Sequence, residues 1–447
     1  MPRKINSSKS TVKKVTKTTK TVKKKQPKSQ EILSKQSKAE AFLIEFNKSM
    51  KGRAQLKRAS DYVLPFLTKR LPTGILSLDL ALKGGFPAGG FSQIAGPKNS
   101  NKTWIMWQVI RNLQQQLGDK MSVLLAMTEM RADRSQARLS GVKIALGEED
   151  SKRYITARKL AGLPDLTDEE REDLKTEIGR IDEMHAISGE HLYDGILRAV
   201  EYDIYHLIVI DSIGIIMTAA EAESESLLDK QYAGASAVNT KFLRKLSGFL
   251  TMDTEEGTPR ETCVLGINQV REKIGKTFHA NAGELVRLKS PGGKALEHAQ
   301  FVNLVMISGS PIGDNISRPT TEGAKQMFVQ RGKTVNWVIE KGKAGIHEGT
   351  KGSFNYDFKT GDAEFILDTI VEGEKAGVIE KAGPWYRIPN PKIPENNLLV
   401  CQGKDALIKA LQDDIETKFG TNEITFYQYI RNQCLQKQGI FINYNWD

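Results

Sequence analysis

The stretch Gly96-Pro97-Lys98-Asn99-Ser100-Asn101-Lys102-Thr103 decides the fold of this chain, because it has the pattern of a phosphate-binding loop. Such a loop points backbone N–H groups at the β- and γ-phosphates of a nucleotide, and a Lys ammonium neutralises their charge. Lys102 fills that role, and the hydroxyl of Thr103 is placed to ligate Mg²⁺. Asn101 stands where the usual pattern has a second Gly, and Asn is the side chain that best tolerates the positive φ favoured there.

The flanking residues place this loop in the required context, between a buried strand and a helix N-terminus. Residues 91–95 form a short strand-like run that ends at Gly96. Downstream, apolar residues follow helical spacing until Gly118, and Trp104 and Trp107 are predicted to pack within that helix. The apolar positions of the helix are Ile105, Met106, Val109, Ile110, Leu113 and Leu117. The order of strand, loop and helix predicts nucleotide binding.

Composition limits the class of protein further. The 447 residues have room for a full-sized nucleotide-binding core with smaller appendages. No apolar run approaches the ~20 residues of a membrane helix, and no secretory signal is recognisable, so we predict no membrane association. The cysteines Cys263, Cys401 and Cys434 are dispersed without metal-site spacing, which fits a reducing compartment and favours buried hydrophobic roles.

Charge is concentrated at one end of the chain. Residues 1–30 contain ten Lys, one Arg and no acidic residue, so they carry the whole formal net charge of +11. This Ser/Thr/Lys-rich segment lacks apolar periodicity and is predicted to be a disordered tail. It is either a solvated extension or an arm that binds polyanions in a salt-dependent way, and we favour the arm because the remaining chain is formally neutral.

The rest of the chain alternates strand-like and helix-like segments. Strands are predicted at 122–127, 206–211, 262–269, 301–308 and 334–340, and several are continuous apolar runs typical of strands covered on both faces. This alternation indicates an α/β fold with a mostly parallel sheet and with ligands at the carboxyl ends of the strands. Before the core, Ser37 and Glu40 have capping-box spacing, which predicts a helix that begins at Ser37. Residues 147–184 are charged and helix-prone, which suggests a surface insertion.

A nucleotide hydrolase also needs a carboxylate for the Mg²⁺ shell and a base for water. The apolar run 207–210 ends at Asp211, which suits the first role. Glu129 follows the strand predicted at 122–127, next to the phosphate loop in a parallel sheet, and suits the second.

At this point the chain resembles the RecA family of ATP-dependent recombinases, over residues 37–415 without the insertion. The similar stretches are Leu71-Pro72-Thr73-Gly74-Ile75-Leu76-Ser77-Leu78-Asp79, Ile267-Asn268-Gln269-Val270-Arg271-Glu272-Lys273-Ile274-Gly275, Ser290-Pro291-Gly292-Gly293-Lys294-Ala295-Leu296 and Val378-Ile379-Glu380-Lys381-Ala382-Gly383-Pro384-Trp385-Tyr386. The resemblance implies a RecA-type ATPase core at 71–345. It also implies an N-terminal oligomerisation helix and linker at 31–70 and a small α/β C-terminal domain at 346–447.

The resemblance also implies roles for single residues at the ATP site. Glu129 would activate the attacking water, Asp133 would lie near the adenine, and Gln269 would sense the γ-phosphate. Lys341 and Lys343 would reach the ATP of an adjacent subunit and stabilise the transition state. Thr103 and Asp211 would hold Mg²⁺.

Two DNA-binding loops are implied as well. The first, at 221–235, is acidic at its start, and its basic member is Arg244 on the following helix. The second, at 270–291, has basic side chains around one aromatic residue, a composition that suits backbone tracking with stacking. Its members are Arg271, Lys273, Lys276, Phe278, Arg287 and Lys289. Gly292, Gly293 and Lys294 would open a helix whose amides hold a phosphate.

Together these features predict a protein that forms helical filaments on single-stranded DNA, with ATP at subunit interfaces, and pairs them with double-stranded DNA. We expect a cytoplasmic, nucleoid-associated location. Departures from the family pattern are Asn101 in the loop, Gln136 and His298 at two positions where an aromatic is expected, and Ala237 at a position that is often Arg. Two alternatives stay open: an ATP-binding scaffold in which Asn101 weakens hydrolysis, and a ring-forming DNA motor with a related core.

Overall fold

Within the described residues, the strands form one nine-stranded sheet and two small sheets. The computed structural model describes residues 28–128, 131–214, 216–224, 234–270, 293–320, 323–390, 397–418 and 423–440. The chain divides into two units, one up to Asp61 and the other from Tyr62 onward.

The helices and strands have the following bounds. The helices are α1 (Lys28–Met50), α2 (Pro65–Thr68), α3 (Leu76–Ala81), α4 (Lys102–Leu117), α5 (Arg134–Leu139), α6 (Glu148–Leu160), α7 (Asp168–Asp173), α8 (Gly189–Glu201), α9 (Ala219–Glu223), α10 (Gly234–Leu250), α11 (Gly293–Ala299), α12 (Phe365–Lys375), α13 (Lys404–Thr417) and α14 (Phe426–Lys437). The strands are β1 (Arg70–Leu71), β2 (Phe86–Pro87), β3 (Phe91–Gly96), β4 (Ser122–Met127), β5 (Arg180–Met184), β6 (Leu207–Asp211), β7 (Cys263–Gln269), β8 (Val302–Thr320), β9 (Gly323–Gly342), β10 (Lys351–Asp357), β11 (Asp362–Ala363), β12 (Glu380–Ala382), β13 (Trp385–Pro389) and β14 (Asn397–Gln402).

The central sheet has the strand order β11-β10-β9-β8-β3-β7-β6-β4-β5. Neighbours from β8 through β5 run parallel, whereas β9, β10 and β11 are added antiparallel at one side. The predicted α/β fold with a mostly parallel sheet is therefore confirmed. Because β3 lies in the interior of this sheet, the loop that follows it opens at the carboxyl edge of the parallel strands.

Both faces of the parallel strands are covered, which explains their continuous apolar runs. On β4, Val123 and Leu125 belong to the core cluster that includes α4. Their neighbours Leu124 and Ala126 belong to a second cluster, with α8 and α10. The stacked rings of Tyr193 and Phe242, with centroids 3.8 Å apart, join α8 to α10 on that face.

Helix α4 fixes the direction of the phosphate loop. Trp107 is 1% exposed, and Trp104 packs with its ring centroid 5.6 Å from that of Phe354 and 5.4 Å from that of Tyr356, both on β10. The packing predicted for the two tryptophans is thus confirmed. The helix ends at Leu117, and Gly118 follows with a positive φ of 54°.

The C-terminal segment forms a small α/β module of the sheet β12-β13-β14 with α12, α13 and α14. Its buried core includes Ile370, Leu411 and Ile430, and Leu76 and Leu80 of α3 belong to the same cluster. The structure differs from the predicted boundary at 345/346, because β10 and β11 extend the central sheet to Ala363.

In the first unit, α1 begins at Lys28, so the prediction of a helix start at Ser37 was wrong, and Lys28 to Gln30 of the predicted tail are helical. Phe42 on this helix is 57% exposed. Residues 1–27 of the basic tail lie outside the described residues.

Two further predictions need correction in the second unit. The predicted insertion at 147–184 includes β5, which pairs with β4 as the edge strand of the central sheet, so the insertion ends before Arg180. The strands predicted at 301–308 and 334–340 are the bases of a much longer hairpin, β8–β9. The three cysteines are free and buried, as predicted. None of the described helices has the length and apolarity needed to cross a bilayer.

Candidate nucleotide site and nucleic-acid elements

The phosphate loop has the backbone geometry that its sequence predicted. Asn101 adopts a left-handed conformation at φ 65°, ψ 22°, and Asn99 also has a positive φ, at 59°. Gly96 admits no side chain, because a Cβ there would lie 2.3 Å from the carbonyl oxygen of Met306. Asn101 therefore supplies the conformation of the missing Gly, without a side-chain capping bond to α4.

Lys102 is folded over the loop. Its ammonium donates to the carbonyl oxygen of Pro97 at 2.6 Å and to Oγ of Ser100 at 3.4 Å, and the residue is 8% exposed. Thr103, in the first turn of α4, is exposed. A cation held by the loop's own oxygens, next to left-handed backbone at a helix N-terminus, fits a polyphosphate with Mg²⁺ at Thr103.

Asp211 ends β6 at the same edge of the sheet. It pairs in register with Met127 of β4 and with Ile267 of β7. Beside it, the hydroxyl of Thr128 accepts from the backbone N–H of Ser212 at 2.8 Å and donates to its carbonyl oxygen at 3.0 Å. These bonds hold the end of β4 against Asp211, directly before Glu129. Glu129 itself lies outside the described residues.

Gln269 is the last residue of β7 and pairs in register with Gly96, the last residue of β3. Neighbouring strands are about 4.8 Å apart, so the predicted γ-phosphate sensor lies beside the start of the phosphate loop. The loop, Gln269, Asp211 and the end of β4 thus follow one another along one edge. Such an edge can bind a nucleoside triphosphate together with its Mg²⁺ ion. Because β7 and β6 separate β4 from β3, the expectation that the strand before Glu129 lies next to the phosphate loop was wrong.

A chain of buried amides crosses the sheet beneath this edge. Nδ2 of Asn268 donates to Oε1 of Gln93 at 3.3 Å, and Nε2 of Gln93 donates to Oδ1 of Asn303 at 3.1 Å. Nδ2 of Asn303 donates to the Glu340 carboxylate at 3.0 Å. A carboxylate only accepts, so Glu340 sets the direction of every donor in the chain. The chain links the strand that ends in Gln269 with the strand that carries Lys341.

Lys341 and Lys343 lie at the opposite end of the sheet from the loop of their own chain. Lys341 pairs with Asn303 near the start of β8, and β8 runs parallel to β3 from Ser92 onward. From there to Gly96 the strand rises about 13 Å. Lys343 donates to the carbonyl oxygen of His298 at 3.2 Å, and burial together with the charge of Lys343 lowers the pKa of Lys341.

No protein-family model matches the chain. It is 27% identical over 386 residues to Protein RecA of Geobacter sulfurreducens, covering 84% of this chain and 93% of that one. It is 29% identical over 346 residues to Protein RecA of Thermus thermophilus, covering 77% and 80%. The chain is thus similar to RecA proteins along most of its length. A solved structure, that of the RadB recombinase, aligns with 19% identity and a TM-score of 0.35 over 65% of this chain and 98% of that one.

Among the described residues, Asp133 has two hydrogen-bonding partners. It caps α5 by accepting from the backbone N–H of Gln136 at 3.1 Å, and its other oxygen accepts from Arg153 of α6 at 3.0 Å. A contact with adenine, as predicted, would have to share this carboxylate with Arg153. The prediction for Asp133 stays untested.

The predicted DNA elements are described only in part. Arg244 is exposed on α10, whose other face buries Phe242, Leu243 and Leu246. Glu221 of the first loop accepts from the backbone N–H of Thr218 and so caps α9. Gly293 and Lys294 begin α11, as predicted. The other predicted members lie outside the described residues: Arg271, Lys273, Lys276, Phe278, Arg287, Lys289 and Gly292.

Sequence reasoning missed three residues at this site: Thr128, Ser308 and Lys333. Ser308 and Lys333 both donate to the carbonyl oxygen of Asn99 in the phosphate loop. Thr128 had a usable signal, since it directly precedes Glu129 at the end of a predicted strand. The other two had none, because their position depends on the register of β8 and β9.

Proposed function

We propose that this chain is an ATP-dependent recombinase that assembles into helical filaments on single-stranded DNA. The filament pairs its strand with homologous double-stranded DNA, and DNA-stimulated ATP hydrolysis releases it. ATP lies between subunits, and the segment 271–292 together with Arg244 binds DNA. The exposed side of α1 around Phe42 docks on the next subunit, and the basic tail is a polyanion-binding arm. A location with the nucleoid stays a prediction.

One observation carries this proposal. The groups that would bind and sense a triphosphate gather at one edge of the sheet, whereas Lys341 and Lys343 lie at the other end. If both lysines act on ATP, they act on the ATP of another subunit. A head-to-tail interface of this kind gives a closed ring if its rotation closes and an open helix if it does not, and we propose the open helix.

ATP supplies the reacting phosphate, and Mg²⁺ bound by Thr103 and Asp211 would screen its charge. The chain's own groups do the rest. Lys102 neutralises the phosphates, Glu129 orients water, and Gln269 passes the state of the site to residues 271–292. Lys341 and Lys343 bring positive charge from the neighbour to the transition state.

Mixing two inactive variants tests the interfacial site. Glu129→Gln retains the donor lysines but lacks the base, and the double change Lys341→Met with Lys343→Met retains the base but lacks the donors. We expect no DNA-stimulated phosphate release from either alone. An equal mixture should recover about a quarter of wild-type turnover, because a quarter of random head-to-tail interfaces have all the groups.

The matched control mixes Glu129→Gln with Lys102→Ala. Both changes lie on the same side of the interface, so no pairing restores a site and turnover should stay at zero. A first mixture as inactive as this control would refute an interfacial ATP. Electron microscopy of the wild type with single-stranded DNA should show helices, whereas closed rings would favour a motor.

The scaffold alternative makes a different prediction for Asn101. Since Asn101 already has the left-handed conformation of the usual Gly, we expect hydrolysis in the wild-type chain. Phosphate release that appears only in Asn101→Gly would favour the scaffold.

A further inference from the structure

A bulge in the long hairpin aims two side chains at the phosphate loop. Ser308 pairs with Val335 and Pro311 with Lys333, so Gly309 and Ser310 together face Thr334. An extra residue of this kind bends a strand and redirects its neighbours. A Cβ on Gly309 would lie 2.7 Å from Nδ2 of Asn336 and 2.9 Å from the carbonyl oxygen of Thr334, so the bulge needs a glycine there.

Both redirected side chains contact one atom of the loop. Oγ of Ser308 donates to the carbonyl oxygen of Asn99 at 2.8 Å, and Nζ of Lys333 donates to the same oxygen. Nζ of Lys333 also donates to Oγ of Ser308 at 3.2 Å. Burial lowers the pKa of Lys333. The accepting residue, Asn99, is one of the two non-glycine residues of this loop with positive φ.

These contacts stabilise the left-handed conformation of Asn99. A residue with a Cβ adopts positive φ at a cost, and such a conformation persists only when its surroundings fix it. Two donors on the Asn99 carbonyl fix the orientation of the peptide that joins Asn99 to Ser100. The N–H of that peptide belongs to the loop that would surround the phosphates.

We propose that Ser308 and Lys333 are positioning residues that hold the phosphate loop of this chain in its anion-binding conformation. The inference rests on the proposed nucleotide site and is independent of recombination. It adds a cation from the chain's own hairpin to the loop, in addition to Lys102 and to the lysines expected from the neighbouring subunit. Lys333 acts on the nucleotide through the loop backbone.

Equilibrium titration of the full-length protein with Mg·ATP and with Mg·ADP tests this proposal. Lys333→Met should weaken the binding of both nucleotides by about tenfold, the effect of losing one charge-assisted bond. Both nucleotides should lose the same factor, because the loop backbone surrounds phosphates that ATP and ADP share. Ser308→Ala should have a smaller effect in the same direction. Lys359→Met, at an exposed lysine, is the matched control and should bind like the wild type.

A second substitution that restores nucleotide affinity distinguishes a loss of loop positioning from a general loss of stability. Adding Asn99→Gly to Lys333→Met should recover most of the lost affinity, because glycine adopts positive φ without support. The proposal is overturned if Lys333→Met binds normally, if only ATP binding weakens, or if Asn99→Gly gives no recovery. A wild-type chain that binds neither nucleotide would overturn the proposed function as well, so the two failures are distinguishable.

Discussion

Replacing Gln93 by Leu would interrupt the amide chain at its centre. Gln93 and Asn268 are fully buried and Asn303 is 8% exposed, so water cannot readily replace the lost partners. Leu has a similar volume and leaves no large cavity. The change removes one partner from Nδ2 of Asn268 and one from Oδ1 of Asn303.

The magnitude follows from the two groups that lose a partner. A buried polar group deprived of its hydrogen bond costs about 1–3 kcal/mol, so Gln93→Leu should lower the free energy of unfolding by about 2–4 kcal/mol after the apolar gain of Leu. Adding Asn303→Leu removes one of the two deprived groups. Its other partner, Glu340, is exposed and returns to water. The double variant should therefore be more stable than Gln93→Leu alone, by about 1–3 kcal/mol.

Urea denaturation of the single and double variants measures this coupling, with the slope m checked for constancy. Independent sites would give additive losses, and the double variant would then be the least stable. Additive losses would refute the idea that these amides act as one connected chain.

Three further predictions concern other parts of the chain. Asn101→Ala should reduce the free energies of nucleotide binding and of unfolding by about 1–2 kcal/mol in total, because Ala tolerates positive φ poorly. Asn101→Gly should reduce neither free energy. Nucleotide titration and urea denaturation measure the two contributions, and equal behaviour of the two variants would contradict the role given to the left-handed conformation. Burial raises the pKa of Asp362 from 3.8 to about 6, so its contribution to stability is present below pH 4 and lost as pH rises through 6. Asp362→Asn should remove that pH dependence, at most about 3 kcal/mol, from unfolding curves between pH 4 and 7, and an unchanged profile would show that Arg111 keeps this carboxyl ionised. Arg138 donates to the carbonyl oxygens of Ile144 and Thr176, both at 2.8 Å. A lysine cannot reach both oxygens, so Arg138→Lys should make residues 147–179 more susceptible to limited proteolysis. Resistance like that of the wild type would contradict this prediction.

The parts of the fold that the sequence predicts are those where burial imposes a pattern. Ser122–Met127 was predicted with its observed bounds, because a strand covered on both faces must be apolar throughout. The helix after the loop was equally clear, since one side of α4 is buried along its length. Parallel strands that end at one edge predicted that Asp211 lies near the loop, whereas the prediction for Gln269 came from the family resemblance.

Where residues are exposed, the same reasoning failed. The edge strand β5 has no fully buried residue and reads Arg-Ile-Asp-Glu-Met, so it looked like part of a charged insertion. Ser37 and Glu40 have the spacing of a capping box, yet the helix continues upstream of them to Lys28. The spacing of these two residues alone carries no information about whether the preceding segment is helical.

The hairpin illustrates the limit of sequence reasoning at the site itself. Lys333 reaches Asn99 only because two residues face one at the bulge, and a shift of register by one residue would turn its side chain to the other face. The register in which two strands pair cannot be read from the sequence of either strand alone. The family resemblance did not supply it either, because it drew attention to Lys341 and Lys343 and to no other part of this hairpin.

Two lysines with different proposed roles, Lys333 at the phosphate loop and Lys341 at the subunit interface, lie on the same strand. Lys333 and Lys341 are both on β9, eight residues apart, a separation of about 26 Å along an extended strand. β9 is paired with β8 along this length except at two register shifts, and with β10 from Gly332 to Val338, so backbone pairing connects the two lysines. A change of the phosphate loop that moved Asn99 would therefore pull on the same strand that carries Lys341. If ATP lies between subunits, adjacent sites are connected through one strand, and Lys333→Met should reduce the cooperativity of hydrolysis as well as the affinity for nucleotide.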